Sequence, residues 1–528
     1  MIHTSPSPPL DVPEVSLPAF ILERVERMGD KPALIDGPSG RTLSYKELAE
    51  TVRACAAGLA ARGFGKGDVM ALYSPNLPEY AVAFYGVAML GGINTTINPL
   101  FTANELAKQL KDAGARALIT VGAVLDKAQA AAQQAGIETI YSFDAAPGTT
   151  PFASLLKAGG SPPVVPIDPA QDVVALPYSS GTTGMPKGVM LTHRNLVANL
   201  HQMEGAPWFA GVQEEDVVIA VMPFFHIYGM VVIMGNALAA GATVVTMPRF
   251  ELEPFLEILQ RYGVTYAYVV PPIVLALAKQ PAVERYDLSR VRTLFSGAAP
   301  LGEGLERAAQ ERLDCGTVQG YGMTEASPVT HLCPDDPGAN KPGSVGLLAP
   351  GTEMMIVDVL SREPLGPGQP GELWMRGPQF MKGYLNRPDA TAEALDAEGW
   401  YHSGDIGFVD EEGFTTIVDR LKELIKYKGY QVAPAELEAL LVTHPAVADA
   451  AVVPSPDEEA GEVPKAFIVP REPERAPSAE AIMAWVAERV APYKRVRRLE
   501  FLAQIPKSPS GKILRRMLVE QERQQRAG

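Results

Sequence analysis

The chain has 528 residues, 47% of them apolar and 20% charged, which describes a globular protein too long for one hydrophobic core, so two or more domains are expected. Its formal net charge of −15 argues against nucleic acid or an anionic membrane as the main partner. Cys55, Cys315 and Cys333 fall at no metal-ligand or disulfide spacing; each is expected to pack in a core, which suits a reducing compartment and a cytoplasmic location.

The first residues, Met1–Pro9, have neither a basic region nor an apolar core, so no signal peptide is expected, and Gln525–Gly528 carries no peroxisomal or retention tail. Residues 34–50 read as a β-hairpin running into a helix, with Ser44 and Glu47 spaced for a capping box. Short apolar runs at Val69–Tyr73, Ala117–Val121, Tyr266–Val270 and Thr293–Ser296 alternate with amphipathic helices. That alternation predicts an α/β fold with mainly parallel sheets, in which ligands sit at the carboxyl ends of strands.

Between two such runs lies Tyr178-Ser-Ser-Gly-Thr-Thr-Gly-Met-Pro-Lys-Gly-Val189, with three glycines, four Ser/Thr hydroxyls and one lysine. Glycines let a backbone approach phosphate closely, backbone N–H groups and hydroxyls cradle an anion, and Lys187 adds a point charge. The spacing is not that of a Walker loop, and the flanks predict strand, phosphate loop, strand. Val217–Pro248 holds no formally charged residue, long enough on paper to span a bilayer. Pro223, Gly229, Gly235 and Gly241 interrupt it, so it is read as strand, loop, buried helix, strand. Within it Pro223-Phe-Phe-His-Ile-Tyr-Gly229 reads as a pocket wall.

Gln319-Gly-Tyr-Gly-Met-Thr-Glu325 offers a planar ring, close-approach glycines, a hydroxyl and a carboxylate, a set suited to a nucleotide base, its α-phosphate and Mg²⁺. From Gly343 to Thr416 shorter β-type pieces and Pro/Gly turns predict a small β-subdomain. Tyr401-His-Ser-Gly-Asp405 puts a carboxylate on a tight turn, where it can bind ribose hydroxyls, and Asp419-Arg420 precedes a domain boundary. Beyond it, a helix from Pro434 carries Leu437, Leu440 and Leu441, a strand covers Ala450–Val453, and a second helix carries Ile482, Trp485, Val486 and Val490. These make a compact α+β domain of roughly 105 residues. Two basic pieces stand out in it, Leu421-Lys-Glu-Leu-Ile-Lys-Tyr-Lys-Gly429 and Pro509-Ser-Gly-Lys512.

Together the phosphate loop, Tyr-Gly-Met-Thr-Glu, His-Ser-Gly-Asp, the Asp-Arg-Leu-Lys segment and Pro-Ser-Gly-Lys resemble the adenylate-forming superfamily of acyl-CoA synthetases, luciferases and peptide-synthetase adenylation domains. Phe-His-Ile-Tyr, Ser-Gly-Ala-Ala-Pro-Leu-Gly and Lys-Tyr-Lys-Gly-Tyr-Gln-Val-Ala-Pro-Ala-Glu-Leu-Glu are similar in particular to the 4-coumarate–CoA ligases, over about residues 30–516. The resemblance implies a large N-terminal domain of parallel αβ sheets plus a small β-subdomain (1–420) and a mobile small α+β C-terminal lid (423–528), with a hinge near Lys422. It implies an acid–thiol ligase using ATP, Mg²⁺ and coenzyme A: a carboxylate attacks the α-phosphate to give acyl-AMP and pyrophosphate, and the CoA thiol then displaces AMP. An aromatic acid of the hydroxycinnamate or cinnamate type is the expected substrate, with a medium- or long-chain fatty acid, or loading of a carrier protein, as alternatives. A monomer or homodimer is expected, without stable membrane insertion.

Carried over by position, the catalytic set is Lys512, Lys187, His226 and Glu325. Ser179, Ser180, Gly181, Thr182, Thr183 and Lys187 hold the ATP phosphates. Gln319, Gly320, Tyr321 and Thr324 hold adenine and the AMP phosphate, and Asp405 and Arg420 take the ribose. Thr183 and Glu325 flank Mg²⁺. Tyr228, Val232, Ala298, Gly322, Pro328 and Val329 line the acyl pocket with His226. Arg249, which stands where plant members carry a lysine, joins Lys422, Lys426, Lys428 and Gly429 toward CoA, and Gln431 approaches the nucleotide site in the thioester step.

Overall fold

The structure is a computed structural model that describes residues 1–157, 159–179, 186–336, 338–428, 430–457, 459–509 and 511–527. The hairpin near the N-terminus pairs Pro32–Asp36 with Thr42–Ser44 and leads into the helix Tyr45–Ala60. The capping box closes as the sequence predicts: Ser44 Oγ accepts from Glu47 N at 3.2 Å, and Glu47 accepts from Ser44 N at 2.8 Å. Two orphan helix donors are thereby satisfied.

Among the described residues the N-terminal part carries two nine-stranded sheets. The centre of one runs Ile93–Ile97, Val69–Tyr73, Ala115–Thr120 and Thr139–Ser142, all parallel. The centre of the other runs Gly316–Gly322, Thr293–Ser296, Tyr266–Val269, Val217–Ala220, Thr243–Thr246 and Pro32–Asp36, also parallel. The strand placed at Ala117–Val121 thus lies two residues earlier at its start and one at its end, a fraying at the ends that apolar runs alone do not define. One continuous core includes strand residues such as Leu72 and Val244 and helix residues such as Leu48 and Phe255.

The uncharged run at 217–248 is two buried strands joined by a π-helical segment, Tyr228–Gly235, and the short helix Asn236–Ala240. A Cβ at Gly229 would lie 2.1 Å from Pro223 O, so this turn closes only on glycine. No helix among the described residues is long and apolar enough to cross a membrane.

A five-stranded antiparallel sheet forms the subdomain, in the order His3–Thr4, Glu353–Val357, Gly371–Arg376, Tyr401–Val409, Thr415–Arg420. It reaches further than residues 343–416, because the chain's first residues pair with Glu353–Met354 and its last strand ends at Arg420. Beyond Arg420 a separate core forms around Ile425, Leu437, Val452, Ile468, Ile482 and Val486. The helices Pro434–Leu441 and Ala479–Ala487 lie on a second five-stranded sheet, in the order Tyr430–Val432, Ile425–Tyr427, Gly461–Pro470, Val447–Asp457, with Arg498–Phe501 also beside Gly461–Pro470; Val490 falls past the end of the second helix.

On the other side of that sheet the helix Arg515–Ala527 packs Leu518 against Val453 and Phe467. Beneath it Lys465 Nζ, 8% exposed, meets Glu500 at 2.7 Å and also Glu522, itself 4% exposed. A buried cation with two carboxylates is tolerable as a set and costly when broken. Lys465→Met is therefore expected to destabilise the C-terminal domain by about 3 kcal/mol, while Lys465→Met with Glu522→Leu recovers most of the loss. Scanning calorimetry and limited proteolysis check this; a single variant that melts like the parent protein refutes it.

Candidate active site

The strand Gly316–Gly322 turns through the short 3₁₀ segment Thr324–Ala326 into the antiparallel strand Val329–Leu332. This hairpin needs its glycines: a Cβ at Gly322 would lie 1.9 Å from Pro328 O, and one at Gly320 would lie 2.4 Å from the Phe295 ring. The Ser327–Pro328 bond between them is cis. Gln319 begins the motif but its amide faces inward. Nε2 donates to Leu301 O at 3.1 Å and to Glu306 at 2.9 Å, while Oε1 accepts from Leu301 N at 3.0 Å. The side chain, 3% exposed, thereby holds the loop that ends at Leu301.

Tyr321 joins this hairpin to the subdomain. Its hydroxyl donates to Asp405 Oδ2 at 2.5 Å, and Arg420 Nε lies 3.2 Å from Asp405 Oδ1. Asp405 and Arg420 face each other across adjacent strands, which fixes the pair by register. Burial first, then the Asp405 charge, push the Tyr321 hydroxyl far above its usual range, so it remains a donor.

Ser179 and Lys187 pair directly at the two ends of the phosphate loop, which is a strand–loop–strand unit as expected. Ser180, Gly181, Thr182 and Thr183 lie outside the described residues, as does Gly429. Lys187 Nζ sits 4.4 Å from the centroid of the Tyr384 ring, and the Tyr384 hydroxyl donates to Glu325 Oε1 at 2.9 Å. Glu325 is 7% exposed and its neighbour Thr324 opens the 3₁₀ turn. A tyrosine-oriented carboxylate beside a phosphate-loop lysine fits Mg²⁺, which takes one or two carboxylates and completes its shell with substrate phosphates and water.

Lys512 arrives from the C-terminal domain. Its turn is closed by Lys512 N donating to Ser508 Oγ at 3.1 Å and Ser508 N donating to Lys512 O at 2.8 Å. The next helix is anchored by Arg515, paired with Glu438 at 2.6 Å and Glu423 at 2.9 Å. The C-terminal domain rests on the larger one, where Lys279 Nζ donates to Val442 O at 3.0 Å. Burial, and then the Arg420 charge, lower the Lys512 ammonium to about 8. Burial and Lys512 itself lower His226 to about 4. His226 Nδ1 accepts from Tyr228 N at 3.2 Å, which leaves the ring proton on Nε2.

Lys512 is thus within electrostatic reach of His226, Arg420 and Asp405. Lys422, Lys426 and Gln431 are exposed on the C-terminal domain, and Lys428 (φ 45°) pairs with Glu459 on a surface away from Lys512. Arg249 is 83% exposed and pairs with Glu251.

Of the residues expected on the acyl side, Tyr228 and Val232 are buried on one π-helical segment. The Tyr228 hydroxyl donates to Phe295 O at 3.0 Å and approaches Val269 O at 3.3 Å, and its ring meets Tyr268 edge-on. Val232 and Val329 are 2% and 5% exposed; Pro328 is buried, while Ala298 and Gly322 are exposed at the rim. Sequence reasoning overlooked Tyr384, Tyr401 and Glu306. The signal for the first was available in Met381-Lys-Gly-Tyr-Leu385, an aromatic after glycine in a β-rich stretch. Glu306 carried none, since its partners Gln319, Asn340 and Gly343 are remote in sequence.

Residues 21–385 match the family model of the AMP-binding enzyme, and residues 436–512 that of the AMP-binding enzyme C-terminal domain. The chain is 47% identical to 4-coumarate–CoA ligase 2 of Petroselinum crispum, over 98% of this chain and 96% of that one. It superposes on the anthranilate CoA ligase AuaEII in complex with anthranoyl-AMP at a TM-score of 0.90 and 26% identity, covering 98% of this chain and 99% of the other. It superposes on ATP-bound MatB from Rhodopseudomonas palustris at 0.86 and 27% identity, covering 96% and 99%. The cleft of cations and hydroxyls around Glu325, Asp405 and Lys512 belongs with these matches: the chain is a member of the AMP-binding, adenylate-forming enzymes, an AMP-forming acid–CoA ligase that uses ATP, Mg²⁺ and coenzyme A.

Proposed function

We propose that the acid activated is a planar aromatic carboxylic acid of the cinnamate type. The observation that carries this is the aromatic cluster of Tyr228, Tyr268 and Phe295, with the apolar Val232 on the same segment as Tyr228. The rings are flat, and the one hydroxyl of Tyr228 is spent on backbone carbonyls rather than offered to a ligand. The 4-coumarate–CoA ligases act as precedent for an aromatic acid. Val232 is apolar, so a ring hydroxyl on the substrate would find no partner there.

In this reading Lys187 and Arg420 hold the phosphates and ribose, with Asp405 taking ribose hydroxyls and Tyr321 and Thr324 beside the α-phosphate. Lys512 bridges the acid's carboxylate and the α-phosphate, and neutral His226 donates its Nε2 proton toward the developing charge. Mg²⁺, held by Glu325 and a hydroxyl of the phosphate loop, supplies charge neutralisation on the phosphates. No general base is required, because the nucleophile is already an anion; fixed cations in a water-poor cleft lower the barrier. Lys422 is then the pivot on which residues 423–528 turn, replacing Lys512 by the Lys426–Gln431 hairpin for the thioester step, with Arg249 meeting CoA. Buried or half-buried free cysteines fit a cytoplasmic monomer or homodimer.

The acid assignment is tested by CoA-dependent AMP release over a panel. Cinnamate-type acids are expected to lead, and Tyr228→Ala to shift preference toward aliphatic acids. A tenfold wild-type preference for octanoate would overturn it.

Lys512 generates a pH prediction. The group is charged below its depressed value of about 8, and only the charged form bridges two anions. Adenylation kcat/KM for the acid should fall as pH rises above that value, whereas conversion of supplied acyl-AMP to acyl-CoA should show no such limb. Lys512→Ala should lose about 3 kcal/mol of transition-state stabilisation, roughly a hundredfold, in adenylation alone.

Lys422→Pro fixes one φ near −65° and should spare adenylation while removing most thioester formation. Single-turnover assays of each half-reaction decide it; equal losses in both steps of a folded variant refute the rotation.

A further inference from the structure

We propose that Tyr384 is a positioning residue that keeps Lys187 and Glu325 apart and aimed at the nucleotide. The proposal rests on the phosphate and metal roles assigned above to those two residues. Tyr384 is 6% exposed and reaches both at once, with its ring face 4.4 Å from Lys187 Nζ and its hydroxyl 2.9 Å from Glu325 Oε1. Lys187 thus takes the ring face of Tyr384 and Glu325 its hydroxyl. An unscreened lysine and carboxylate in one cleft attract strongly, and a direct pair would neutralise both groups the reaction needs. The ring gives Lys187 an alternative electron-rich partner, and the hydroxyl gives Glu325 a neutral one.

The placement of the ring is independent of these contacts. Tyr384 pairs in register with Val189, on the strand leaving the phosphate loop; Leu385 N donates to Gly188 O at 2.8 Å and Tyr384 N to Thr391 Oγ1 at 2.9 Å. Substituting the side chain therefore leaves its backbone anchor in place. Tyr401 lies against the Tyr384 hydroxyl as well.

The two halves of the side chain can be separated by calorimetric ATP binding without acid or CoA, which reads no turnover. Tyr384→Phe keeps the ring, so Mg²⁺-free ATP affinity should stay within threefold of wild type while the gain in affinity on adding Mg²⁺ shrinks fivefold or more. Tyr384→Leu should in addition weaken Mg²⁺-free binding tenfold or more, because Lys187 collapses onto Glu325. Adding Glu325→Gln to Tyr384→Leu should restore Mg²⁺-free affinity to within threefold of Glu325→Gln alone. Thermal melts of each variant confirm the fold. Tyr384→Leu binding Mg²⁺-free ATP as wild type, or Tyr384→Phe keeping the full Mg²⁺ gain, overturns the proposal. Lys187→Ala binding ATP normally would instead overturn the lysine's own assignment and this inference with it.

Discussion

Everything in this active site follows from gathering positive charge at one point inside a protein whose formal net charge is −15. Three cations, Lys187, Arg420 and Lys512, are the ones the proposed reading puts around the phosphates, and each stands in a different setting. Arg420 is tied to Asp405, Lys187 lies on an aromatic face, and Lys512 is partly discharged by burial and by Arg420. Such fixed, partly desolvated charge is worth far more to a transition state than the same charge in water.

The fold supplies this convergence by letting three layers meet. The strand Gly316–Gly322 delivers Tyr321 and Glu325 from the large parallel sheet. The antiparallel subdomain delivers Asp405 and Arg420 by register, and the other large sheet delivers Lys187. Tyr321–Asp405 and Tyr384–Glu325 are two of the hydrogen bonds that cross between layers. A tyrosine suits both places: its body packs in an apolar seam while its hydroxyl reaches a carboxylate without adding charge.

Much of this was legible in the chain. Periodicity placed the strands at Val69–Tyr73 and Thr293–Ser296, and the Ser44–Glu47 box, to the residue, because local chemistry decides them. Residue types in the motifs marked Lys512, Asp405 and Glu325 for the cleft. What stayed hidden depends on distance in sequence: that Gln319 turns inward to Glu306, that Tyr384 sits between Lys187 and Glu325, and that His3–Thr4 adds a strand to a sheet formed by residues 353–420. The π-helical form of Tyr228–Gly235 was hidden for another reason, since an apolar run carries no period and its hydrogen-bond pattern is set by packing.

The energetics of Lys512 explain why its domain should not stay in one place. Lowering an ammonium from 10.5 to about 8 represents a cost on the order of 3 kcal/mol for holding the charge in the cleft. Against that cost stand the contacts that hold the C-terminal domain down, among them Lys279 Nζ to Val442 O at 3.0 Å, Ala435 N to Asp419 Oδ2 at 2.9 Å, and Leu424 and Ala433 packed with Ile406. A carboxylate and a triphosphate in the cleft offset that cost by pairing with the ammonium. Once the acid has been joined to AMP and pyrophosphate has left, two of those negative partners are gone and the cost returns. In the proposed scheme, the same charge that serves the first step thus weakens the closed arrangement once that step is complete, which would bias the domain toward opening.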